Sequence, residues 1–272
     1  MTPNEYNDIQ NFLSQSCGIV LGENKQYLVK NRLNSLLVKF DLASFSELAK
    51  AIKGAGSISQ KVKAAVVDAM TTNETFWFRD DLQFVELKEK IFPEIFEKKA
   101  GTIKVWSAAC SSGQEPYTIS ICAETASKQA GKARNVQIIG TDISELILKE
   151  AKSATYSELA LSRGLDMQTK SQYFQKTHEG YKLNTNIVQN VRFQQFNLLK
   201  PFSVLGRFDV IFCRNVLIYF SDEVKVDILT RMASSLEPGG YIFLSSTEAM
   251  PASIKEFEPV RGGRARYFKK VS

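Results

Sequence analysis

Apolar residues in the first seventy positions recur at the spacing of an amphipathic helix. Tyr6, Ile9, Leu13 and Cys17 lie three or four residues apart, which places all four on one helical face. A second helix is predicted over about residues 23–40. We expect its buried face to consist of Val29, Leu33, Leu36 and Phe40.

Two further short helices are predicted from residues that are typical of helix N-termini. Ser44 with Glu47, and Ser57 with Gln60, have the spacing of a capping box. The tract Gly-Ala-Gly-Ser at 54–57 separates the two helices. Residues 1–70 are therefore predicted to form a small all-helical N-terminal domain.

The helical period stops at the sequence Thr-Thr-Asn-Glu-Thr-Phe-Trp-Phe-Arg, residues 71–79. These residues are polar and β-branched at first and then aromatic, whereas a merely flexible linker is rich in Gly and Ser. We interpret residues 71–80 as a linker that contributes side chains to a binding site.

Beyond the linker, predicted helices and strands alternate, which is typical of an α/β sheet with mostly parallel strands. The predicted helices cover residues 81–91, 115–130, 144–154 and 222–236. The predicted strands cover residues 103–108, 136–140, 191–196, 208–212, 241–246 and 265–269. Short segments between 156 and 190 predict a small antiparallel β insertion, so the main domain spans 81–272 with an insertion at 156–190.

Composition places the chain among soluble globular proteins. Its 272 residues are 44% hydrophobic and 24% charged, and no apolar run approaches the ~18 residues of a membrane helix. The N-terminus is acidic and does not resemble a signal peptide. Four cysteines lie far apart without a CxxC pair, which disfavours disulfide scaffolds and metal sites and predicts the cytoplasm. We expect no metal.

Charge and histidine content narrow the chemistry further. The net charge of +6 suggests an acidic partner, although a surplus that serves solubility explains it equally well. His178 is the single histidine and falls in a polar segment. Chemistry that needs a histidine base therefore has one candidate.

Candidate ligand contacts lie where the predicted strands end, because doubly wound sheets bind ligands outside the carboxyl ends of their strands. The first strand leads into small residues at 107–113 and then into Glu115 and Pro116. With one glycine this loop is a poor pyrophosphate cradle, which argues against a nicotinamide oxidoreductase. Glu115 suits a cationic ligand such as S-adenosylmethionine, and an ordinary turn with a capping glutamate is the alternative.

Three more strand ends carry polar residues. Asp142 is placed to bind ribose hydroxyls or to cap the next helix. Asn197 beside Leu198 forms a plausible adenine slot or an ordinary turn. Arg214 follows a buried strand, where charge is costly unless it is paired, so it needs a ligand carboxylate or a structural salt bridge; Asn215 lies directly beside it.

These segments together resemble the chemotaxis receptor methyltransferases, the CheR family. The resemblance lies in residues 71–79, in Trp-Ser-Ala-Ala-Cys-Ser-Ser-Gly-Gln-Glu-Pro-Tyr at 106–117, in Gly-Thr-Asp-Ile at 140–143, in Phe-Asn-Leu at 196–198 and in Phe-Cys-Arg-Asn-Val-Leu-Ile-Tyr-Phe at 212–220. It covers nearly the whole chain. It implies a Rossmann-like S-adenosylmethionine methyltransferase sheet and transfer of methyl groups to glutamate side chains of bacterial chemoreceptors, which sets adaptation in chemotaxis.

The resemblance also implies roles for individual residues. Arg79 and Tyr219 would lie nearest the transferring methyl group. Cofactor contacts would come from Asn73, Thr75, Arg79, Glu115, Asp142, Asn197, Leu198, Arg214 and Asn215. In the N-terminal domain, Lys25, Arg32 and Lys39 lie seven apart and would face the acidic helices of a receptor, although a solvated helix face is the alternative.

One segment departs from the family pattern. Members that dock on a receptor's C-terminal pentapeptide carry a longer, glycine-containing loop in the β insertion, whereas the stretch 175–181 is a few residues short. We expect a monomer that does not depend on that tether, does not insert into a membrane and does not bind nucleic acid. Two other functions remain open: methyl transfer to RNA or a small acid, and a non-catalytic module that senses the cofactor.

Overall fold

The computed structural model describes residues 1–261 and 263–271. Gly262 and Ser272, which the predicted main domain includes, lie outside the described residues. The order of elements is helical first and then alternating, as the hydrophobic pattern predicts. None of the helices in this described part of the chain is long and apolar enough to cross a membrane.

Four helices form the N-terminal domain. They are α1 (Pro3–Cys17), α2 (Gln26–Lys39), α3 (Phe45–Lys53) and α4 (Ser57–Met70). α1 begins with a capping box, in which the side chain of Thr2 accepts from the N–H of Glu5 and the carboxylate of Glu5 accepts from the N–H of Thr2. The predicted residues of the first two helices lie in one apolar core, where Ile9, Leu13 and Leu33 are fully buried.

The two predicted helix caps of this domain have different outcomes. The side chain of Ser44 accepts from the N–H of Glu47, as predicted, but Glu47 returns its bond to Ala43 instead of Ser44. The capping box predicted at Ser57 is wrong, because Gly56 occupies the cap position and Ser57 is already the first helical residue.

The main domain contains a mixed sheet of seven strands in the order β6-β2-β1-β7-β8-β10-β9. Its strands are β1 (Ile103–Ala108), β2 (Val136–Asp142), β6 (Val191–Gln195), β7 (Phe208–Cys213), β8 (Leu236–Phe243), β9 (Phe257–Pro259) and β10 (Phe268–Lys270). The five strands from β6 to β8 are parallel, and β10 and β9 add antiparallel pairs at one edge. The α/β fold predicted from the alternation is confirmed.

Helices pack on both faces of the parallel strands. They are α5 (Asp81–Glu86), α6 (Phe92–Lys98), α7 (Gln114–Gln129), α8 (Glu145–Ser153), α11 (Thr185–Val188) and α12 (Asp222–Ser235). The helix predicted over 81–91 continues through a π-helical turn, Leu87–Ile91, into α6. The two core clusters of this domain contain Phe212 and Trp106 respectively, and both residues are fully buried.

Two strand predictions need correction. The strand predicted over 241–246 begins earlier, at Leu236, and ends at Phe243, because Gly239 and Gly240 lie within the strand beside a register irregularity against β7. The strand predicted over 265–269 is displaced toward the C-terminus, to Phe268–Lys270.

The β insertion forms a separate antiparallel sheet of three strands in the order β3-β5-β4. The strands are β3 (Thr155–Tyr156), β4 (Phe174–Thr177) and β5 (Gly180–Leu183), with α9 (Glu158–Ser162) and α10 (Met167–Tyr173) between the first two. Two residues, His178 and Glu179, join β4 to β5. The short loop expected from the sequence is therefore a tight hairpin.

Candidate active site

A cleft lies at the carboxyl ends of β1, β2 and β7, under the linker and beside the helical domain. Its empty volume, open solvent at the mouth included, is about 1020 Å³. It is lined by all ten residues predicted for cofactor binding or methyl transfer, namely Asn73, Thr75, Arg79, Glu115, Asp142, Asn197, Leu198, Arg214, Asn215 and Tyr219. Segments distant in the sequence thus meet at the sheet edge where ligands of such folds bind.

The loop after β1, which borders the cleft, has a backbone conformation that is unusual for residues other than glycine. Ala109 and Ser111 adopt φ angles of 55° and 52°, in the left-handed region that costs non-glycine residues energy and is enriched at functional sites. The Ser111 hydroxyl donates to the carbonyl of Asn73 over 2.8 Å. The loop is therefore tied directly to the linker that covers it.

Glu115 sits at the start of α7 but does not cap it. The N-cap residue of α7 is Gly113, which has no side chain and so makes no side-chain hydrogen bond to the helix N-terminus. The Glu115 carboxylate instead accepts from the Ser107 hydroxyl at 2.7 Å and from the Arg214 guanidinium at 2.8 Å. This arrangement contradicts the alternative interpretation of Glu115 as an ordinary capping glutamate.

Asp142 ends β2 as a nearly buried carboxylate. One oxygen accepts from the N–H of Ser111 at 2.9 Å and the other from the N–H of Ser144 at 3.0 Å. Burial raises the pKa of Asp142, and these backbone bonds partly oppose that rise. Ser144, not Asp142, caps α8 through Ile147. Each Asp142 oxygen keeps capacity for a further donor such as a hydroxyl.

Arg214 is paired within the protein. Its guanidinium contacts the carboxylates of Asp80 at 2.9 Å and Glu115 at 2.8 Å, and it donates to the carbonyl of Arg79. The sequence left two alternatives for this buried charge, a ligand carboxylate and a structural salt bridge, and the structure shows the salt bridge. Arg214 fastens the end of the linker to the floor of the cleft.

The charged residues around the cleft carry an excess of negative charge. Asp80, Glu115 and Asp142 contribute three carboxylates against the two guanidinium groups of Arg79 and Arg214. Burial alone raises the pKa of Asp80, but the hydrogen bond and charge of Arg214 outweigh it, so the net pKa lies below its usual value. A cationic ligand group suits this corner.

Asn197 connects the two domains. Its amide nitrogen donates to the carbonyl of Ser16 at 2.7 Å, and its side-chain oxygen accepts from the N–H of Leu199 at 2.9 Å. The turn expected as the alternative is therefore present. The Asn197 amide is engaged within the protein, while the buried Leu198 presents apolar surface to the cleft.

Asn215 and Tyr219 present polar groups that the protein does not use. Across residues 1–261 and 263–271, no hydrogen bond is made to either side chain. Asn215 has a φ of 57°, and both residues are half-buried in the cleft lining. These groups are open to a ligand.

Arg79 lies against the linker's own aromatic residue. Its guanidinium donates to the carbonyl of Glu74 at 3.1 Å and lies 5.4 Å from the centre of the Phe76 ring. Arg163, from the β insertion, lies 5.2 Å from that ring and pairs with Glu74 at 2.6 Å. Arg79 is thus held at the cleft by stacking while part of its guanidinium stays available.

The predicted receptor-facing residues are not among those that line the cleft. Lys25 and Lys39 are exposed at the two ends of α2. Arg32 is half-buried and donates to the carbonyls of Met70 and Thr71. Arg32 therefore also supports the start of the linker.

The sequence interpretation missed four contributors to the site. Cys17 and Ile19 of the helical domain line the cleft, and Asp80 pairs with Arg214. Glu248, which follows β8, binds the backbone of the loop after β7. Inspecting strand ends would have indicated Glu248, because it lies five residues beyond Phe243, the end of β8.

Comparison with known proteins agrees with the geometry. The family model described as "CheR methyltransferase, SAM binding domain" matches residues 73–265, and "CheR methyltransferase, all-alpha domain" matches residues 4–71. The chain is 45% identical over 259 residues to a chemotaxis protein methyltransferase of Vibrio parahaemolyticus, covering 94% of this chain and 93% of the relative. It is 46% identical over 245 residues to chemotaxis protein methyltransferase 1 of Pseudomonas aeruginosa, covering 88% of each.

Among solved structures, the magnesium protoporphyrin IX methyltransferase of Synechocystis with bound S-adenosylmethionine covers 92% of this chain and 98% of its own, at 14% identity and a TM-score of 0.38. The cleft itself fits that cofactor. The carboxylates of Asp80, Glu115 and Asp142 outnumber the guanidinium groups of Arg79 and Arg214, which suits its cationic groups, and Asp142 also offers acceptors to its ribose. The two family models and the relatives at 45% and 46% identity show that the chain belongs to the CheR methyltransferase family and is an S-adenosylmethionine-dependent methyltransferase.

Proposed function

We propose that this enzyme methylates glutamate side-chain carboxylates of bacterial chemoreceptors and so sets adaptation in chemotaxis. The observation that carries the proposal is the absence of an available base in the part of the cleft that the structure describes. Its lining has no histidine and no lysine. Each of its acids already has partners, because Glu74 pairs with Arg163, Glu115 pairs with Arg214, and Asp142 accepts two backbone N–H groups and keeps its remaining lone pairs for hydroxyl donors.

A carboxylate acceptor explains why no base is needed. A glutamate side chain with a pKa near ~4.3 is already anionic at neutral pH, whereas an amine or hydroxyl acceptor has to lose a proton. S-adenosylmethionine supplies a methyl group on a cationic sulfur, which departs as a neutral thioether. The chain's residues therefore need only bind, orient and exclude water.

Orientation is the main task that remains for the protein, and it is worth about 7–11 kcal/mol in favourable cases. Glu115 would hold the cationic end of the cofactor and Asp142 its ribose, while Asn73, Thr75 and Leu198 would enclose it. Arg79 and Tyr219 would align the acceptor carboxylate. The attacking oxygen loses charge during transfer, so strong stabilisation of the free carboxylate would slow the reaction. Tyr219 is a neutral donor, and the Arg79 guanidinium already shares its donors with the carbonyl of Glu74.

Recognition of the acceptor is assigned to the helical domain. Lys25 and Lys39 are exposed and would meet acidic receptor helices, and Arg32 would contribute charge beside them. The two-residue connection at His178 and Glu179 supports a member that acts without a receptor-tail tether. Such receptor helices are cytoplasmic, so the enzyme would act there, as a monomer.

The test is transfer of methyl label from S-adenosylmethionine to a chemoreceptor signalling fragment. Base-labile label on the fragment is expected, and a matched fragment with its acceptor glutamates replaced by glutamine should receive none. Label on RNA or a small acid instead would overturn the proposed acceptor. A normal cofactor-binding isotherm without any methylated product would support a cofactor sensor.

A further inference from the structure

The segment that follows β8 carries a buried carboxylate at the carboxyl edge of the sheet. Residues 245–248 form a turn, in which the N–H of Glu248 donates to the carbonyl of Ser245 at 3.1 Å. Glu248 is only 4% exposed. A buried charge without partners is costly, so the contacts of this side chain need an explanation.

The Glu248 carboxylate accepts four backbone N–H groups. One oxygen accepts from Val216 at 3.1 Å and Leu217 at 2.8 Å, and the other accepts from Asn215 at 2.8 Å and Ser245 at 3.0 Å. Three of these donors are consecutive residues of the loop after β7. No cation of the described residues forms a salt bridge with Glu248, so its charge is stabilised by these backbone N–H groups.

The loop that Glu248 binds is the one that supplies open polar groups to the cleft. Asn215 is its first donor and has the left-handed φ of 57°, a strained conformation that persists only where its surroundings hold it. Leu217 begins the short 3₁₀ turn that ends at Tyr219. The carboxylate therefore holds both the strained residue and the base of the turn that carries the tyrosine.

The same segment also reaches the linker on the other side of the cleft. The N–H and hydroxyl of Ser246 contact the carboxylate of Asp80, each at 3.4 Å, and Asp80 pairs with Arg214. The guanidinium of Arg266 donates to the carbonyl of Glu248 from β10's side of the sheet. The turn is thus connected to both walls of the cleft.

We infer that Glu248 is a positioning residue for methyl transfer, which fixes Asn215 and Tyr219 through the backbone of their loop. A carboxylate suits this role because each of its oxygens accepts two N–H groups. In Glu248→Gln the amide group would face two N–H donors and leave them unsatisfied in a buried place. The loop would then shift, and misplacement of about 1 Å is enough to cost ~10²-fold in rate.

Asp209 provides a matched control. It is also buried, at 7% exposure, and it accepts from the N–H of Lys104 at 2.8 Å while pairing with Lys99 at 2.7 Å. It lies near the start of β7, at the opposite edge of the sheet from the cleft. Asp209→Asn therefore reports the cost of disturbing a buried carboxylate without moving the loop.

The test compares Glu248→Gln with Asp209→Asn in three measurements on the full chain. These are methyl transfer to a receptor fragment, affinity for S-adenosylhomocysteine, and hydrogen exchange of the amides at 215–217. We expect Glu248→Gln to lower kcat by about 10-fold to 100-fold, to change cofactor affinity by less than about threefold, and to speed exchange at 215–217. Asp209→Asn should change none of the three.

The kinetic part rests on the proposed function, whereas the exchange measurement does not require an acceptor. If the wild-type enzyme methylates no receptor fragment, the proposed acceptor fails, and exchange still decides whether Glu248 holds the loop. A Glu248→Gln variant with kcat within about twofold of wild type, or an equal loss in Asp209→Asn, would overturn the inference. Should Glu248→Gln not fold, Glu248→Asp, which keeps the charge on a shorter side chain, takes its place with the same expected split.

Discussion

The backbone N–H of Val20 donates to the carbonyl of Tyr219 over 2.9 Å. This bond joins the loop after α1 to the residue that we expect to lie nearest the transferring methyl group. Asn197 adds a second bond to the end of α1 through the carbonyl of Ser16. The helical domain is therefore part of the framework that positions the candidate active site.

A substitution at Gly18 tests whether the contact between the loop after α1 and the loop that carries Tyr219 positions the site. The φ of Gly18 is 77°, and a Cβ atom there would lie 2.7 Å from the Phe220 ring. Gly18→Ala should therefore displace the loop and lower methyl transfer by about tenfold, together with a lower melting temperature. Gly22→Ala is the matched control, because a Cβ at Gly22 meets nothing within 4 Å. Equal activity of the two variants would show that this contact does not position the site.

Loss of the Arg214 guanidinium should destabilise the fold. Arg214→Met would leave the carboxylates of Asp80 and Glu115 without their cation, and we expect a loss of about 3 kcal/mol in the free energy of unfolding. The control is Lys225→Met, since Lys225 pairs with an Asp222 side chain that is 91% exposed and should cost less than ~1 kcal/mol. Denaturant unfolding of both variants measures the difference. Similar losses of unfolding free energy in the two variants would contradict the stabilising role of the Arg214 salt bridges.

Tyr219→Phe and Arg79→Ala separate orientation from binding. Each removes a donor from the acceptor side of the cleft while leaving Glu115 and Asp142 in place. We expect kcat to fall by about 10-fold to 100-fold in both variants and cofactor affinity to change little in Tyr219→Phe, as measured by methyl transfer and calorimetry. Full turnover with normal cofactor binding in both variants would refute the roles assigned to these two residues.

The three basic residues of α2 should behave differently from one another. Lys25→Glu and Lys39→Glu are expected to weaken receptor binding by about threefold each at low salt, with the difference shrinking as salt is added. Stability should not change, because both side chains are exposed. Arg32→Glu should in addition lower the melting temperature, since it loses its bonds to the carbonyls of Met70 and Thr71. Receptor affinity that is indifferent to reversal of Lys25 and Lys39 would favour a solvated helix face.

Glu94 should contribute stability that acid removes. Burial alone raises its pKa, but hydrogen bonds from Lys98, Tyr241 and Lys269 outweigh this and lower it to about 2. Because the folded-state pKa lies below the ordinary value, the stabilisation is complete above that value and is lost as pH falls toward about 2. Glu94→Gln should thus lower the melting temperature near neutral pH, with the gap to wild type narrowing below about pH 4.5.

The control for this prediction is Glu97→Gln, an exposed glutamate of the same helix. It should leave the melting temperature unchanged at every pH. A constant gap between Glu94→Gln and wild type across the acid range would contradict the assigned cause.

Local rules located the elements and several residues of the cleft lining, whereas Asn73, Thr75, Arg79 and Tyr219 were implied by the family resemblance. Hydrophobic spacing predicts the helical domain and the alternating sheet, and the carboxyl-end rule brings Glu115, Asp142 and Asn215 to one place. These rules do not show which distant residue a buried polar group pairs with. Arg214 needs a counter-charge on sequence grounds, yet Asp80 is 134 residues away in the sequence, so only the folded chain shows which pairing satisfies it.

Other differences have the same physical origin. Gly239 and Gly240 look like a turn, but they form an irregular part of β8 between Leu236 and Tyr241, and both of these residues pair with β7, so tertiary pairing overrides local preference. Ser57 looks like a cap, but Gly56 takes that position with a φ of 98°, which glycine tolerates at little cost. Glu248 escapes notice because its partners are backbone groups, which every sequence contains.

The contact surface between bundle and sheet has a consequence for protein engineering. A chimera that takes residues 1–70 from a relative would also replace Gly18 and Val20, whose counterparts Phe220 and Tyr219 remain in the recipient. Such chimeras should be active only when the residues on both sides of this contact, Gly18 and Val20 with Tyr219 and Phe220, come from the same protein. The helical domain is therefore not expected to be interchangeable between relatives.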